Sequence, residues 1–319
     1  MQKRMIARAK ELLNDNSIDR ILGWKRGAFV YDITPGTFGT VNELEKDFVY
    51  DDFCGVNLSK YLVKESRKEG KVVVFLKKCD SYSFNELVKE HRINKDKVYV
   101  IGVQCDGKVD LRKIKDKGID GITNITPARD HLLIETLYGT EKVDKDDVIL
   151  DRCTYCRGRK HVAYDEFIGE DVAGDAEINQ FDKVNEIEEM SCDMRFDFWQ
   201  QELSKCIRCN ACRNVCPACT CEKCMFDNPQ SEFQSKASVD FIEDQLFHIT
   251  RAMHVAGRCT DCGECQRVCP SNIPLTLINR KVIKDINEFY GEYQAGEDRE
   301  SVGPLTSYKE KDKGCDSLW

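Results

Sequence analysis

The sequence predicts two architectures in one chain: an α/β N-terminal domain with a small, mostly parallel sheet, followed by an α-helical, cysteine-rich C-terminal domain. Three observations carry this. The β-branched apolar runs Val72-Val73-Val74-Phe75-Leu76 and Val98-Tyr99-Val100-Ile101-Gly102-Val103 flank a stretch, Ser83 to Arg92, with helical spacing, which is a βαβ-like unit. Two four-cysteine runs, Cys206 to Cys216 and Cys259 to Cys269, are separated by a segment of helical periodicity. A length of 319 residues gives each domain enough chain for a core of its own.

In chain order, the charged N-terminus from Met1 to Glu11 reads as an amphipathic helix without the apolar stretch or cleavage site of a signal peptide. Leu58 to Arg67 is helical, and the helix between the two strands starts after a capping Ser81 or Ser83. Gly118 to Ile122 and Val148 to Leu150 are short enough and apolar enough to add strands. The α/β domain is expected over residues 1–168. An acidic, weakly patterned linker follows over 169–195, carrying Asp171, Asp175, Glu177, Asp182, Glu186, Glu188 and Glu189. The helical domain spans 196–292, with helices at Phe196 to Lys205, Val239 to His254 and Leu275 to about Phe289. A polar tail, 293–319, closes the chain, either disordered or a docking peptide.

Composition narrows the function classes. Hydrophobic residues make up 41% and charged residues 33%, which is ordinary for a globular protein. The longest apolar runs fall far below the roughly 18 to 20 residues that a membrane helix needs. No transmembrane segment is expected, and the absence of an export signal points to the cytoplasm. Lys and Arg total 48 against 56 Asp and Glu, a net charge of −8 that argues against nucleic acid as a partner. With 18 cysteines and no export signal, the thiols read as metal ligands rather than as a disulfide framework.

The run Cys206-Ile207-Arg208-Cys209-Asn210-Ala211-Cys212-Arg213-Asn214-Val215-Cys216-Pro217 has the spacing C-x2-C-x2-C-x3-C-P, and Cys259-Thr260-Asp261-Cys262-Gly263-Glu264-Cys265-Gln266-Arg267-Val268-Cys269-Pro270 repeats it. In this pattern the first three cysteines wrap one [4Fe-4S] cube and the fourth ligates the other. Cluster 1 is thus expected on Cys206, Cys209, Cys212 and Cys269, and cluster 2 on Cys259, Cys262, Cys265 and Cys216. Zinc is the competing metal, but its sites come as cysteine pairs well separated in sequence. The gap of about 40 residues between the runs is helical, and Cys269-Pro270-Ser271-Asn272-Ile273-Pro274-Leu275 closes the second. Over residues 200 to 285 the chain resembles the α-helical ferredoxin modules of heterodisulfide reductase C subunits and succinate dehydrogenase iron–sulfur subunits. That resemblance implies electron transfer.

In the N-terminal domain three presumptive strand ends deliver cysteine: Cys79 after Val72 to Leu76, Cys105 after Val98 to Val103, and Cys153 with Cys156 after a third strand. Carboxyl ends of strands in an open α/β sheet converge on one crevice, so these four can meet as ligands. A third cluster, a zinc site and ordinary buried thiols are the alternatives. The arrangement resembles the beta subunits of deazaflavin-reducing hydrogenases and formate dehydrogenases over residues 50 to 170, where such cysteines surround a [4Fe-4S] cluster. Flavin-carrying members have a longer segment ahead of this strand, whereas here Phe53-Cys54-Gly55-Val56-Asn57 leads through one helix to Val72. No flavin is expected. With no G-x-G-x-x-G after a strand, no NAD site is expected either.

Cys192, Cys219, Cys221 and Cys224 form a possible fourth cluster set by arithmetic, leaving Cys54 and Cys315 over; the alternative is packing or shielding of the neighbouring cluster. His161, His248 and His254 stand at no ligand spacing and read as core or surface residues. The expected function is an electron-transfer subunit of an anaerobic oxidoreductase complex with no catalytic residues of its own. Its clusters would link a catalytic partner subunit to a ferredoxin-like or flavin-containing acceptor, soluble ferredoxin among them. The alternatives are a beta subunit that itself reduces a flavin or deazaflavin, and a redox sensor.

Overall fold

The computed structural model describes residues 1–15, 17–128, 130–156, 159–171, 179–228 and 241–307. The chain divides into two compact units, residues 1–177 and 178–319.

The first unit is built on a five-stranded sheet of β1 (Arg20–Arg26), β2 (Ile33–Phe38), β3 (Val72–Leu76), β4 (Val98–Val103) and β8 (Glu166–Ile168), in the order β2-β1-β3-β4-β8. All neighbours pair in parallel except the hairpin of β1 and β2. Every residue of the central strand β3 is buried, as expected of a parallel strand covered on both faces. Trp24, Phe38, Phe48, Phe75 and Phe84 join it in the core. A separate antiparallel sheet of β5 (Ile122–Pro127), β6 (His131–Thr136) and β7 (Gly139–Asp144) packs its own small core around Leu132, Ile134 and Val143.

The helix after β3 begins at Lys78, five residues ahead of the expected Ser83, and runs to Lys89. Asp80 starts it: its Oδ2 accepts from the Lys77 backbone N–H at 3.3 Å. The serines expected to cap are committed elsewhere, Ser81 Oγ donating to Lys78 O at 2.7 Å and Ser83 Oγ accepting from Asn57 at 3.0 Å. Neither Gly118–Ile122 nor Val148–Leu150 is a strand of the main sheet. Ile122 opens β5, Val148 ends a short helix from Lys145, and Ile149 makes only an isolated bridge to Val109.

Close approach explains Gly23 on β1. A Cβ there would lie 2.5 Å from Cε2 of the buried Phe48 ring, which itself packs on Phe38 and Phe75. Gly23→Ala is therefore expected to destabilise the first unit by about 1–3 kcal/mol through overpacking. Anaerobic denaturant melts check this, and an unchanged midpoint would show that the Phe48 ring yields freely.

The second unit is helical, with helices at Asp182–Glu188, Cys192–Leu203, Ala211–Val215, Phe241–His254, Glu264–Arg267 and Leu275–Tyr290. The expected linker is thus partly structured. Val184 and Ile187 bury against Leu277, and Glu188 pairs with Lys281 at 2.6 Å. Its residues 172–178, with Asp175 and Glu177, lie outside the described residues, as do residues 308–319 of the tail, which include Cys315. Among the described residues no helix is long and apolar enough to cross a membrane.

Candidate metal centre

The two four-cysteine runs take the same backbone path. Positions three and five of the first, Arg208 (φ 52°) and Asn210 (φ 60°), are left-handed, and so are Asp261 (φ 52°) and Gly263 (φ 66°) at the same positions of the second. Alternating left-handed residues turn successive N–H groups to the concave side, the backbone nest typical of iron–sulfur and anion sites. Arg208 N–H accordingly donates to Cys206 Sγ at 3.4 Å.

Position three also anchors each loop to a helix. Arg208 Nη1 lies 3.4 Å from Asp244 Oδ1 on the helix Phe241–His254. In the second run the polarity reverses, with Arg280 Nε of the helix Leu275–Tyr290 donating to Asp261 Oδ1 at 2.9 Å. Both pairs are buried. A side-chain charge thus holds each strained loop in place. Sequence reasoning missed all four residues; the signal was the charge at the third position of each run, which has no meaning until the partner helix is placed.

Around these loops the cysteines meet across the runs. Cys206 and Cys212 both lie within electrostatic range of Cys269, and Cys212 also of Cys209. Cys216 of the first run stands instead near Cys259 and Cys265, with Cys262 beside Cys259. Burial pushes the Cys212 thiol up to about 11 and Cys265 to about 12. Cys216 moves the other way, down to about 6, chiefly because Cys219 hydrogen-bonds its sulfur.

Arg251 sits between the groups. Its side chain is 1% exposed, and its charge faces Cys265, Cys212, Cys216 and Cys219. Among the described residues Nε and Nη1 have no hydrogen-bond partner, while Nη2 lies 3.5 Å from Asn279 Oδ1. Asn279 in turn donates to Cys265 Sγ at 3.6 Å. Soft thiolates in two sets, inward-facing N–H groups and an orphaned buried guanidinium suit an anionic, sulfur-rich group. Iron–sulfur clusters fit these residues.

In the first unit Cys79 lies in the first turn of the helix after β3 and Cys105 two residues beyond β4. Cys153 and Cys156 are on a helix, Asp151–Cys156, rather than after a third strand; their i,i+3 spacing puts them on one face. Cys156 is within electrostatic range of Cys79, Cys153 and Cys105, and Cys153 of Cys105. The structure brings all four together. Burial raises Cys79 well above the ordinary thiol range and Cys156 to about 12. Arg152, Lys108 and Arg159 supply positive charge around them. Lys108 also faces the buried Cys54 and lies 4.1 Å above the Tyr50 ring.

The remaining four cysteines are placed differently. Cys192 is exposed at the start of its helix, with Arg195 Nη2 3.8 Å from its sulfur, and Cys221 is exposed as well. Cys219 stands against Cys216, and Cys224 against Arg213. Among the described residues, no three His, Cys, Asp or Glu side chains close on one point as a single metal ion requires. His161 and His248 are core residues. His161 Nε2 donates to Val103 O at 3.1 Å, and burial holds its pKa down at about 4.

Residues 202–273 match the family model described as a 4Fe-4S dicluster domain. The chain is 25% identical to the F420-dependent formate dehydrogenase subunit beta of Methanocaldococcus jannaschii, over 93% of this chain and 92% of that protein. It is 26% identical to the F420-dependent formate dehydrogenase 1 subunit beta of Methanococcus maripaludis, over 93% and 91%. A shorter stretch, 28% of this chain and 37% of the relative, is 31% identical to the succinate dehydrogenase iron-sulfur subunit of Bacillus subtilis. A solved F420-reducing [NiFe] hydrogenase complex from Methanosarcina barkeri matches at a TM-score of 0.38 and 15% identity, over 48% of this chain and 58% of the other.

Proposed function

We propose that this chain is an electron-transfer subunit of a multi-subunit oxidoreductase, passing single electrons along [4Fe-4S] clusters between a catalytic partner subunit of formate dehydrogenase or hydrogenase type and a ferredoxin-like or flavin-containing acceptor. The observation that carries the proposal is that Cys269 of the second run lies within electrostatic range of Cys206 and Cys212, and Cys216 of the first run within range of Cys259 and Cys265, which supports an exchange of fourth cysteines. Two clusters that share ligands across interleaved loops lie close together, which is what electron transfer between them needs. We assign Cys206, Cys209, Cys212 and Cys269 to one cluster and Cys259, Cys262, Cys265 and Cys216 to the other. Cys79, Cys105, Cys153 and Cys156 are assigned to a third. Cys219, hydrogen-bonded to Cys216, is read as a partner to a ligand rather than a member of a fourth set. We place the protein's work in the cytoplasm, where thiols stay reduced.

The bound clusters supply one-electron redox chemistry; the chain's own residues fix their positions, screen their charge and exclude water. Anaerobic purification with iron and sulfide analysis tests the assignment. About twelve irons per chain are expected, falling by about four in the Cys153→Ser/Cys156→Ser variant with the C-terminal signals kept. Unchanged iron in that variant would remove the third cluster.

The names of the two near-full-length relatives favour a second reading, in which the first unit itself reduces a deazaflavin carrier with two electrons delivered one at a time through the clusters and a proton from water. Bleaching of added deazaflavin absorbance by the reduced chain alone would support it.

A further inference from the structure

We propose that Arg251 is a positioning residue shared by the two C-terminal clusters, which directs unspent N–H donors at their sulfur and holds both reduction potentials up. This rests on the assignment of the two runs to two clusters. A buried guanidinium with two orphaned donors costs several kcal/mol unless an anion meets it, so the fold retains Arg251 for a partner that is itself anionic. The residues around it say which.

Arg251 lies on the helix Phe241–His254, which is inserted in sequence between the two runs. Its charge faces Cys212 of the first set and both Cys216 and Cys265 of the second. Asn279, on the helix that follows the second run, steadies it: Asn279 Oδ1 takes one end of the guanidinium and Nδ2 donates to Cys265 Sγ at 3.6 Å. One turn earlier on the same helix, His248 is 1% exposed, and among the described residues both its ring nitrogens are unpartnered. A neutral imidazole there leaves Arg251 without competition from a second cation on its own helix. Arg208, the other cation near His248, is spent on Asp244 and the Glu243 carbonyl.

An electron arriving at either cluster adds one unit of negative charge, and a fixed positive charge in low dielectric stabilises that added charge. Net charge and hydrogen bonds to sulfur are the levers that set such potentials. Because one cation serves both sets, it raises the two potentials together and keeps them matched for transfer between neighbours.

The test uses the full chain purified anaerobically with its clusters, and compares Arg251→Met, which removes the charge, with Arg251→Lys, which keeps the charge but not the planar donor fork. Iron content and electron paramagnetic resonance redox titrations are the readouts. Wild-type protein carrying fewer than the roughly eight irons of two cubes in this domain would sink the assignment of the runs, separately from the role of Arg251. With those irons present, the midpoint potentials of both C-terminal clusters are expected to shift negative in Arg251→Met and less so in Arg251→Lys. Unchanged midpoints in an Arg251→Met chain that keeps its iron would overturn the proposal. Should that variant shed iron, pulsed resonance of reduced wild type grown with 15N-arginine decides. A guanidinium nitrogen coupling that vanishes in Arg251→Lys supports the role, and identical couplings in the two proteins overturn it.

Discussion

Alanine at both Cys206 and Cys269 is expected to remove about four irons per chain, whereas alanine at both Cys259 and Cys269 removes about eight. The asymmetry follows from the proposed exchange of fourth ligands. Cys269 stands with Cys206 and Cys212, although it belongs to the second run, so the first pair of substitutions strikes one cluster twice and the second pair strikes each cluster once. If each run instead closed on its own cube, the two results would be reversed. Iron analysis with spin quantitation of the reduced samples therefore decides between the arrangements, and equal losses in the two variants would refute the crossed one.

The second large effect lies in the first unit. Lys77 and Asp80, 1% and 0% exposed, pair at 2.9 Å where β3 passes into the following helix. Lys77 Nζ also donates to Val56 O at 2.7 Å and lies 4.4 Å from the centroid of the Trp24 ring. Asp80→Ala leaves the lysine charge buried without its counter-ion, which costs about 3–5 kcal/mol. It also removes the acceptor that starts the helix carrying Cys79, so iron of the third cluster is expected to be lost with the stability. The double change Lys77→Met/Asp80→Leu, which removes both charges, should recover most of the melting midpoint. A destabilisation below about 1 kcal/mol in Asp80→Ala would mean that water reaches the pair and screens it.

Both predictions concern residues whose roles differ in how far they could be read from sequence. The spacing of the two runs places three ligands of each set within seven residues, a local constraint that any fold must honour. Strands β3 and β4 were equally legible, because a central parallel strand buries both faces and reads as an unbroken apolar run. The helical character of the second half followed from its periodicity. The hairpin of β1 and β2 and the sheet of β5 to β7 were not read, since β7 buries only Val143 and carries little pattern. Cys153 and Cys156 were read as strand-end residues because Val148-Ile149-Leu150 is β-branched and apolar. In the fold Val148 joins the small core around Ile114, Ile149 and Leu150 pack with Cys153, and the chain leads into a helix.

The sequence alone therefore determined the two cysteine runs, their spacing, the central strands and the division into an α/β part and a helical part, because each depends on residues near one another in the chain. Only the tertiary structure decided where charge is placed. The pairs Arg208 with Asp244 and Asp261 with Arg280, and the seat of Arg251 between two cysteine sets, all join segments whose approach depends on the packing of whole helices. A buried charge is tolerated only where the folded chain brings its partner, and that partner is set by three-dimensional packing rather than by local spacing.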